Sequence, residues 1–256
     1  MKSNFKYLTL LAAGAILWVG CEPKTVPVGA YTAPVTTPDR TTVANFENGT
    51  PNINPFLFES GVPGNTVTLL GAVTVVNNFT SPPKADEYGV LSIEGPGANN
   101  SSLACHVSGA VTDYGDGVYP AIDLQAQMEG GKRYNMSFFT GVNFYFKTGV
   151  DDNVKKRVFQ IPLFQTQAVP TGNCDNSTNR CYDHFGTALA STNGSWQRFS
   201  LKFSSLTRQG FGFPLTPTDL SGFNLTQVLW LMWEEGNSNA AGIATVDFWV
   251  DEIQFF

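Results

Sequence analysis

The chain has 256 residues, of which 42% are hydrophobic, 13% aromatic and only 14% charged, with a formal net charge of −6. That length and apolar content support one large folded domain, and the charged fraction is well below the roughly one quarter usual for soluble chains. An acidic chain lacks the basic surface that a phosphate backbone requires, which excludes nucleic acid as a partner.

The chain opens with Lys2 and Lys6, followed by an apolar stretch over 7–19 that is too short for a comfortable membrane span and ends Leu17-Trp18-Val19-Gly20-Cys21. A basic start, a short apolar run and a small residue before a cysteine resemble the lipobox of bacterial lipoproteins, with Trp18 where that pattern has Leu. The resemblance implies a signal peptide over 1–20 and lipidation of Cys21, whose acyl chains would anchor at ~0.8 kcal/mol per buried methylene. Glu22 after the cysteine, rather than Asp, directs the expectation to the bacterial outer membrane or cell surface. Residues 21–41 carry Pro23, Pro27, Pro34 and Pro38 and form an extended tether, which leaves 42–256 for the folded domain.

In that domain the sequence predicts strands near 43–49, 66–76, 88–94, 102–107, 118–127, 133–140, 141–147, 157–163, 196–203, 228–233 and 245–256. Gly-, Pro- and Asn-rich turns separate them. In two of these strands Val142, Phe144 and Phe146 alternate with Asn143, Tyr145 and Lys147, and Phe199, Leu201 and Phe203 alternate with Arg198, Ser200 and Lys202. A period of two gives each strand one core face and one free face. No long amphipathic helix is visible, although a helical turn is expected from Thr216. Many short strands with polar turns predict an all-β, antiparallel β-sandwich.

Four cysteines lie at 21, 105, 174 and 181. Cys174 and Cys181 enclose six polar residues and are expected to form a disulfide in an oxidising compartment. A metal pair is the rival reading, but no further Cys or His stands at zinc-ligand spacing. Cys105 reads as a small buried strand residue.

The opening Asn45-Phe46-Glu47-Asn48-Gly49 and the ending Val246-Asp247-Phe248-Trp249-Val250-Asp251-Glu252-Ile253-Gln254-Phe255 resemble the first and last strands of carbohydrate-binding modules with the galactose-binding-like jelly-roll fold, of the family-11 type. Gly141-Val142-Asn143-Phe144-Tyr145-Phe146-Lys147, Cys181-Tyr182-Asp183-His184-Phe185-Gly186, Trp196-Gln197-Arg198-Phe199 and Phe203-Ser204-Ser205-Leu206 are similar to blocks within such domains. The resemblance spans 43–256 and implies a jelly roll. It also implies a structural calcium between Glu47 and Asp251, since calcium takes several hard oxygen ligands. Two solvated strand-end carboxylates are the competing reading, and Asn45 and Glu252 each replace an Asp of the family pattern.

No catalytic set accompanies the fold. Asp183 and His184 are adjacent and would point to opposite sides of a strand, Gly-x-Ser-x-Gly is absent, and the two histidines make no zinc motif. Glu234-Glu235 and Asp151-Asp152 read as loop acids rather than as the opposed carboxylates that glycoside hydrolysis needs. The expectation is therefore no enzyme, but a monomer that binds a polysaccharide or glycan. The candidate ligand residues are Asn143, Tyr145, Gln160, Asp183, His184, Arg198 and Trp230, because rings pack on sugar C–H faces and planar polar groups take hydroxyls. A structural or adhesive protein that contacts a protein partner through the same sandwich is the alternative.

Overall fold

The computed structural model describes residues 42–47, 73–78, 88–111, 117–124, 133–175, 177, 180–213, 215, 223–236 and 243–256. The leader, the tether with Cys21 and the helical turn expected at Thr216 lie outside these residues. The described strands are β1 (Thr42–Ala44), β2 (Val73–Asn78), β3 (Tyr88–Glu94), β4 (Ala104–Val111), β5 (Gly117–Asp123), β6 (Gly141–Thr148), β7 (Lys156–Ile161), β8 (Phe185–Ala188), β9 (Gln197–Lys202), β10 (Trp230–Gly236) and β11 (Ala244–Phe255). They form two antiparallel sheets. One runs β3-β4-β11-β6-β9 with β1 added beside β11, and the other runs β2-β5-β10-β7-β8.

The expected sandwich is what the chain builds. Alternation gives β6 its inward Phe144 and Phe146, and β7 and β10 supply Phe159, Ile161, Leu231 and Trp233 from the second sheet. Phe144 joins the layers, with its ring centroid 5.2 Å from Phe159 and 5.3 Å from Trp233. Full burial of such aromatic side chains stabilises by about 1.5–3 kcal/mol each.

β11 is the hub of its sheet. It pairs with β4 over 244–250, with β6 over 248–255, and with β1 near its end. The register shifts after Asp251, where Glu252 has φ 50. This bulge turns Ile253 and Phe255 back into the core.

Three expectations on the strands need correction. Residues 133–140 make no strand: Tyr134 bridges Val228 singly, and Tyr134 and Met136 are fully buried beside it. Anchoring two bulky side chains in the core set their spacing there, and it mimics a strand. β8 was not foreseen, since four residues containing Gly186 are too few to show a period. β10 runs on to Gly236, so Glu234 and Glu235 are strand residues and not loop acids.

Candidate functional site

The outer face of the five-stranded sheet carries a polar cluster that its strands bring into register. Met232 on β10 stands opposite Gln160 on β7 and Ala121 on β5, and Gln160 stands opposite Gly186 on β8. Because Leu231 and Trp233 enter the core, Trp230, Met232 and Glu234 lie on the other side of β10. Glu234 is the centre of the cluster. Its Oε1 is 2.5 Å from the Lys156 ammonium and accepts the Tyr119 hydroxyl at 3.3 Å, and its Oε2 accepts Gln160 Nε2. Glu234 and Gln160 are each only 5% exposed, although they stand away from the core. Gly186 leaves room for Gln160 to lie flat: a Cβ there would sit 2.5 Å from the Phe159 carbonyl oxygen and 3.2 Å from Gln160 Cγ.

The segment after β7 borders this face. Cys174 and Cys181 form the expected disulfide and pack with Ala168 and Phe213 in a small cluster separate from the main core. Tyr182 follows with φ 68 and 48% exposure, a backbone conformation that is uncommon for a ring-bearing residue. Asp183 then acts as a clasp. Its carboxylate accepts the backbone N–H groups of Gln209 (2.7 Å), Gly210 (3.0 Å) and Gly212 (2.9 Å), and it pairs with Arg208 at 3.2 Å. His184 Nδ1 is 2.7 Å from the Thr166 hydroxyl, which itself hydrogen-bonds the Leu163 backbone. Burial pushes the His184 pKa down to about 3. The Asp183 charge opposes that shift, and the Arg208 and Lys156 charges add to it. His184 is thus a neutral ring fixed within reach of the Lys156 charge.

The seven ligand candidates do not share one surface. Gln160 and Trp230 lie on the outer face of the five-stranded sheet, and His184 and Asp183 belong to the segment beside it. Asn143, Tyr145 and Arg198 stand on the outer face of the other sheet, where Tyr145 is opposite Arg198 and Asn143 opposite Ser200. The sequence pattern showed which side chains alternate outward but not which strands share a sheet, so Tyr145, Arg198 and Trp230 do not line one groove. Sequence reasoning missed Glu234, Lys156 and Tyr119. The visible signal was Glu234 two positions after Met232 and four after Trp230, in step with the outward alternation.

Glu47 and Asp251 both close on the turn between β3 and β4. Glu47 Oε1 accepts Ser101 Oγ at 2.6 Å and the N–H groups of Ser102 and Leu103 at 2.9 Å each. Asp251 accepts the N–H of Ala98 at 2.9 Å and that of Glu252 at 2.8 Å. The Ser101 hydroxyl and backbone hydrogen bonds lower the Glu47 pKa, while burial raises that of Asp251 to about 6. The groups aimed at both carboxylates are donors, which fit a hydrogen-bonded clasp better than the oxygen cage of a calcium ion. No group of three or more His, Cys, Asp or Glu side chains suited to a metal occurs among the described residues.

No protein family and no curated protein matches the sequence. Among solved structures, the chain is similar to the family 11 carbohydrate-binding module of the cellulosomal cellulase Lic26A-Cel5E of Clostridium thermocellum. Identity is 15% and the TM-score 0.47, over 74% of this chain and 89% of that one. It is also similar to the family 30 carbohydrate-binding module of a cellulosomal cellulase of Clostridium thermocellum, at 11% identity and TM-score 0.45 over 72% and 91% of the two chains. A third similar structure, an exo-beta-agarase, shows 14% identity and TM-score 0.44 over 84% of this chain and 25% of that one.

Proposed function

We propose that the chain is a monomeric, non-catalytic surface lipoprotein that binds a polysaccharide or glycan on the outer face of its five-stranded sheet. The observation that carries this reading is the Glu234 cluster. A Lys–Glu pair held with Gln160 and Tyr119 on rigid strands is weak as a source of stability, because apolar side chains of similar volume would do as well. As a ligand site it is well made: the buried Glu234 and Gln160 hold the partly exposed Lys156 ammonium and Tyr119 phenol in fixed positions, which lowers the ordering cost of binding hydroxyls. Trp230, half-buried at the end of the same row, offers a ring. Glu235, the neighbouring acid, lies on the core side with Arg157 and cannot face Glu234 across a bond to be cleaved.

Affinity electrophoresis of the full chain through β-glucans, mannans and galactans tests the reading. Retardation by at least one is expected, weakened about tenfold or more by Glu234→Gln and by Trp230→Ala, in variants that keep the native melting temperature. No retardation by any of these polymers overturns it. The lipid anchor and outer-membrane or cell-surface location rest on the Cys21 leader, and loss of fatty-acid labelling in Cys21→Ser tests them.

Calcium at Glu47 and Asp251 is a separate proposal. It rests on the family pattern at the two strand ends alone, and the donors that fill both carboxylates speak against it. A melt unchanged between calcium and chelator discards it. One observation favours contact with a protein partner instead: Val169, Tyr182 and Phe211 are exposed on segments that the disulfide and Arg180 tie together.

A further inference from the structure

The six-stranded sheet has an outer face of its own, which the Glu234 reading leaves unused. We propose that this face, at β6 and the edge strand β9, is a second binding surface and that it takes an anionic polysaccharide bearing carboxylates or sulfates. Phe199 and Leu201 turn inward, so Arg198, Ser200 and Lys202 stand outward in line, about 7 Å apart. All three are exposed. On β6, Asn143, Tyr145 and Lys147 form the parallel row, with Tyr145 opposite Arg198 and Asn143 opposite Ser200. The Arg198 guanidinium and the Lys202 ammonium have no hydrogen-bond or ion-pair partner among the described residues. Arg157, Lys156 and Arg208 by contrast each hold a carboxylate. Two cations without a partner among the described residues thus stand on one ladder of a chain of net charge −6, with Lys147 one row further on, near the Asp247 and Glu94 carboxylates.

Rings stand beside the charges. Lys147 Nζ lies 5.1 Å from the Trp196 ring and 3.7 Å from that of Trp249. Trp249 is closed on its other flank by His106, stacked at 4.1 Å, so Trp196 and Tyr145 are the rings that can meet a ligand. Cations in a line favour a linear polyanion, and half-buried rings alternating with them favour sugar C–H faces. A membrane surface is the poorer match. Partition into lipid needs exposed apolar side chains, and the exposed large hydrophobic residues of the described chain (Phe138, Val150, Val169, Tyr182, Phe211, Ile243 and Phe256) lie outside these two strands. The bland role for such cations is to deter pairing at the sheet edge, and that role predicts no affinity for any glycan.

The experiment is affinity electrophoresis of the full chain through polygalacturonate and through the same polymer fully methyl-esterified. It is run at low and high salt for the wild type, Arg198→Gln, and Arg198→Gln with Lys202→Gln. The expected result is retardation by the acid form alone, abolished by high salt and weakened about tenfold or more in the double variant. Arg198→Gln alone should give an intermediate loss if the double variant fails to fold. Equal retardation of wild type and Arg198→Gln overturns the proposal, as does no retardation by the acid form, or binding to anionic phospholipid vesicles without binding to the acid polymer. Glu234→Gln should leave this retardation unchanged, so the two faces succeed or fail separately.

Discussion

Two side chains show how burial sets the pH response. Among the described residues, neither carboxylate oxygen of Glu235 has an aligned hydrogen-bond donor. Arg157 Nε lies 3.0 Å from Oε1 but is not aligned for one. Burial pushes the Glu235 pKa up from 4.5 to about 8, against the pull of Arg157. The folded chain therefore holds that proton after the unfolded chain has lost it, and stability drains away as pH rises from about 4.5 to about 8. His184 runs the other way: its folded pKa of about 3 lies below the ordinary 6.5, so its contribution is present above 6.5 and lost as pH falls. Between pH 6.5 and 8 His184 and Asp251 complete their titrations with small effects of opposite sign, and of these three groups Glu235 contributes most of the change. Urea melts across that window should lose at most ~2 kcal/mol, and Glu235→Gln should flatten the loss. A wild-type profile as flat as the variant's would contradict the assignment. At Asp183, replacement by Ala strands three backbone donors and the Arg208 guanidinium, at a cost of about 3 kcal/mol within that segment. Faster hydrogen exchange at the Gln209, Gly210 and Gly212 amides should report it, and unchanged exchange there would count against the clasp.

At the scale of elements, the disulfide tests how independent the 163–184 segment is. Cys174 and Cys181 belong to a small cluster outside the main core. Closing so short a loop contributes ~2–3 kcal/mol in the chain-entropy model. Replacing both by Ser should leave the sandwich folded and lower glycan affinity more than global stability, because Tyr182 and His184 would then have to be ordered on binding. A melting temperature that collapses in the double variant would instead make the bridge part of the whole fold. The same elements show what a sequence can and cannot carry. The alternation in β6 and β9 was legible because every second residue is buried at the core, and the Cys174–Cys181 pair because a polar loop between two cysteines has little else to hold it. Sheet membership was not legible. Nothing local to Trp230 or Tyr145 records that β10 pairs with β5 and β7 while β6 pairs with β11 and β9. Glu234 looked like a loop acid because a charged pair beside Gly236 has the composition of a turn, and only its cross-strand partners make it part of a face.

At the scale of the whole molecule, the two outer faces are separated by the thickness of the sandwich. Sheets pack about 10 Å apart, and side chains on opposite outer faces share no neighbours. The effects of Glu234→Gln and Arg198→Gln on unfolding free energy should therefore add to within about 0.5 kcal/mol. A larger coupling in a double-mutant cycle of denaturant melts would mean that the layers transmit strain through Phe144 and Trp233.

The place of β11 bears on the order in which the chain can fold. Its residues Phe248 to Val250 pair with both β4 and β6, and its Gln254 meets Thr42 from the start of the domain. A chain leaving a ribosome or a secretion channel amino-end first has β3, β4, β6 and β9 in hand before the strand that joins them exists. Until then β4 and β6 have bare inner edges, and contacts across more than a hundred residues must wait, a topology that folds slowly. Such a chain stays open, and so able to thread a narrow channel, until its final strand emerges. It is then most exposed to aggregation in the interval just before closure.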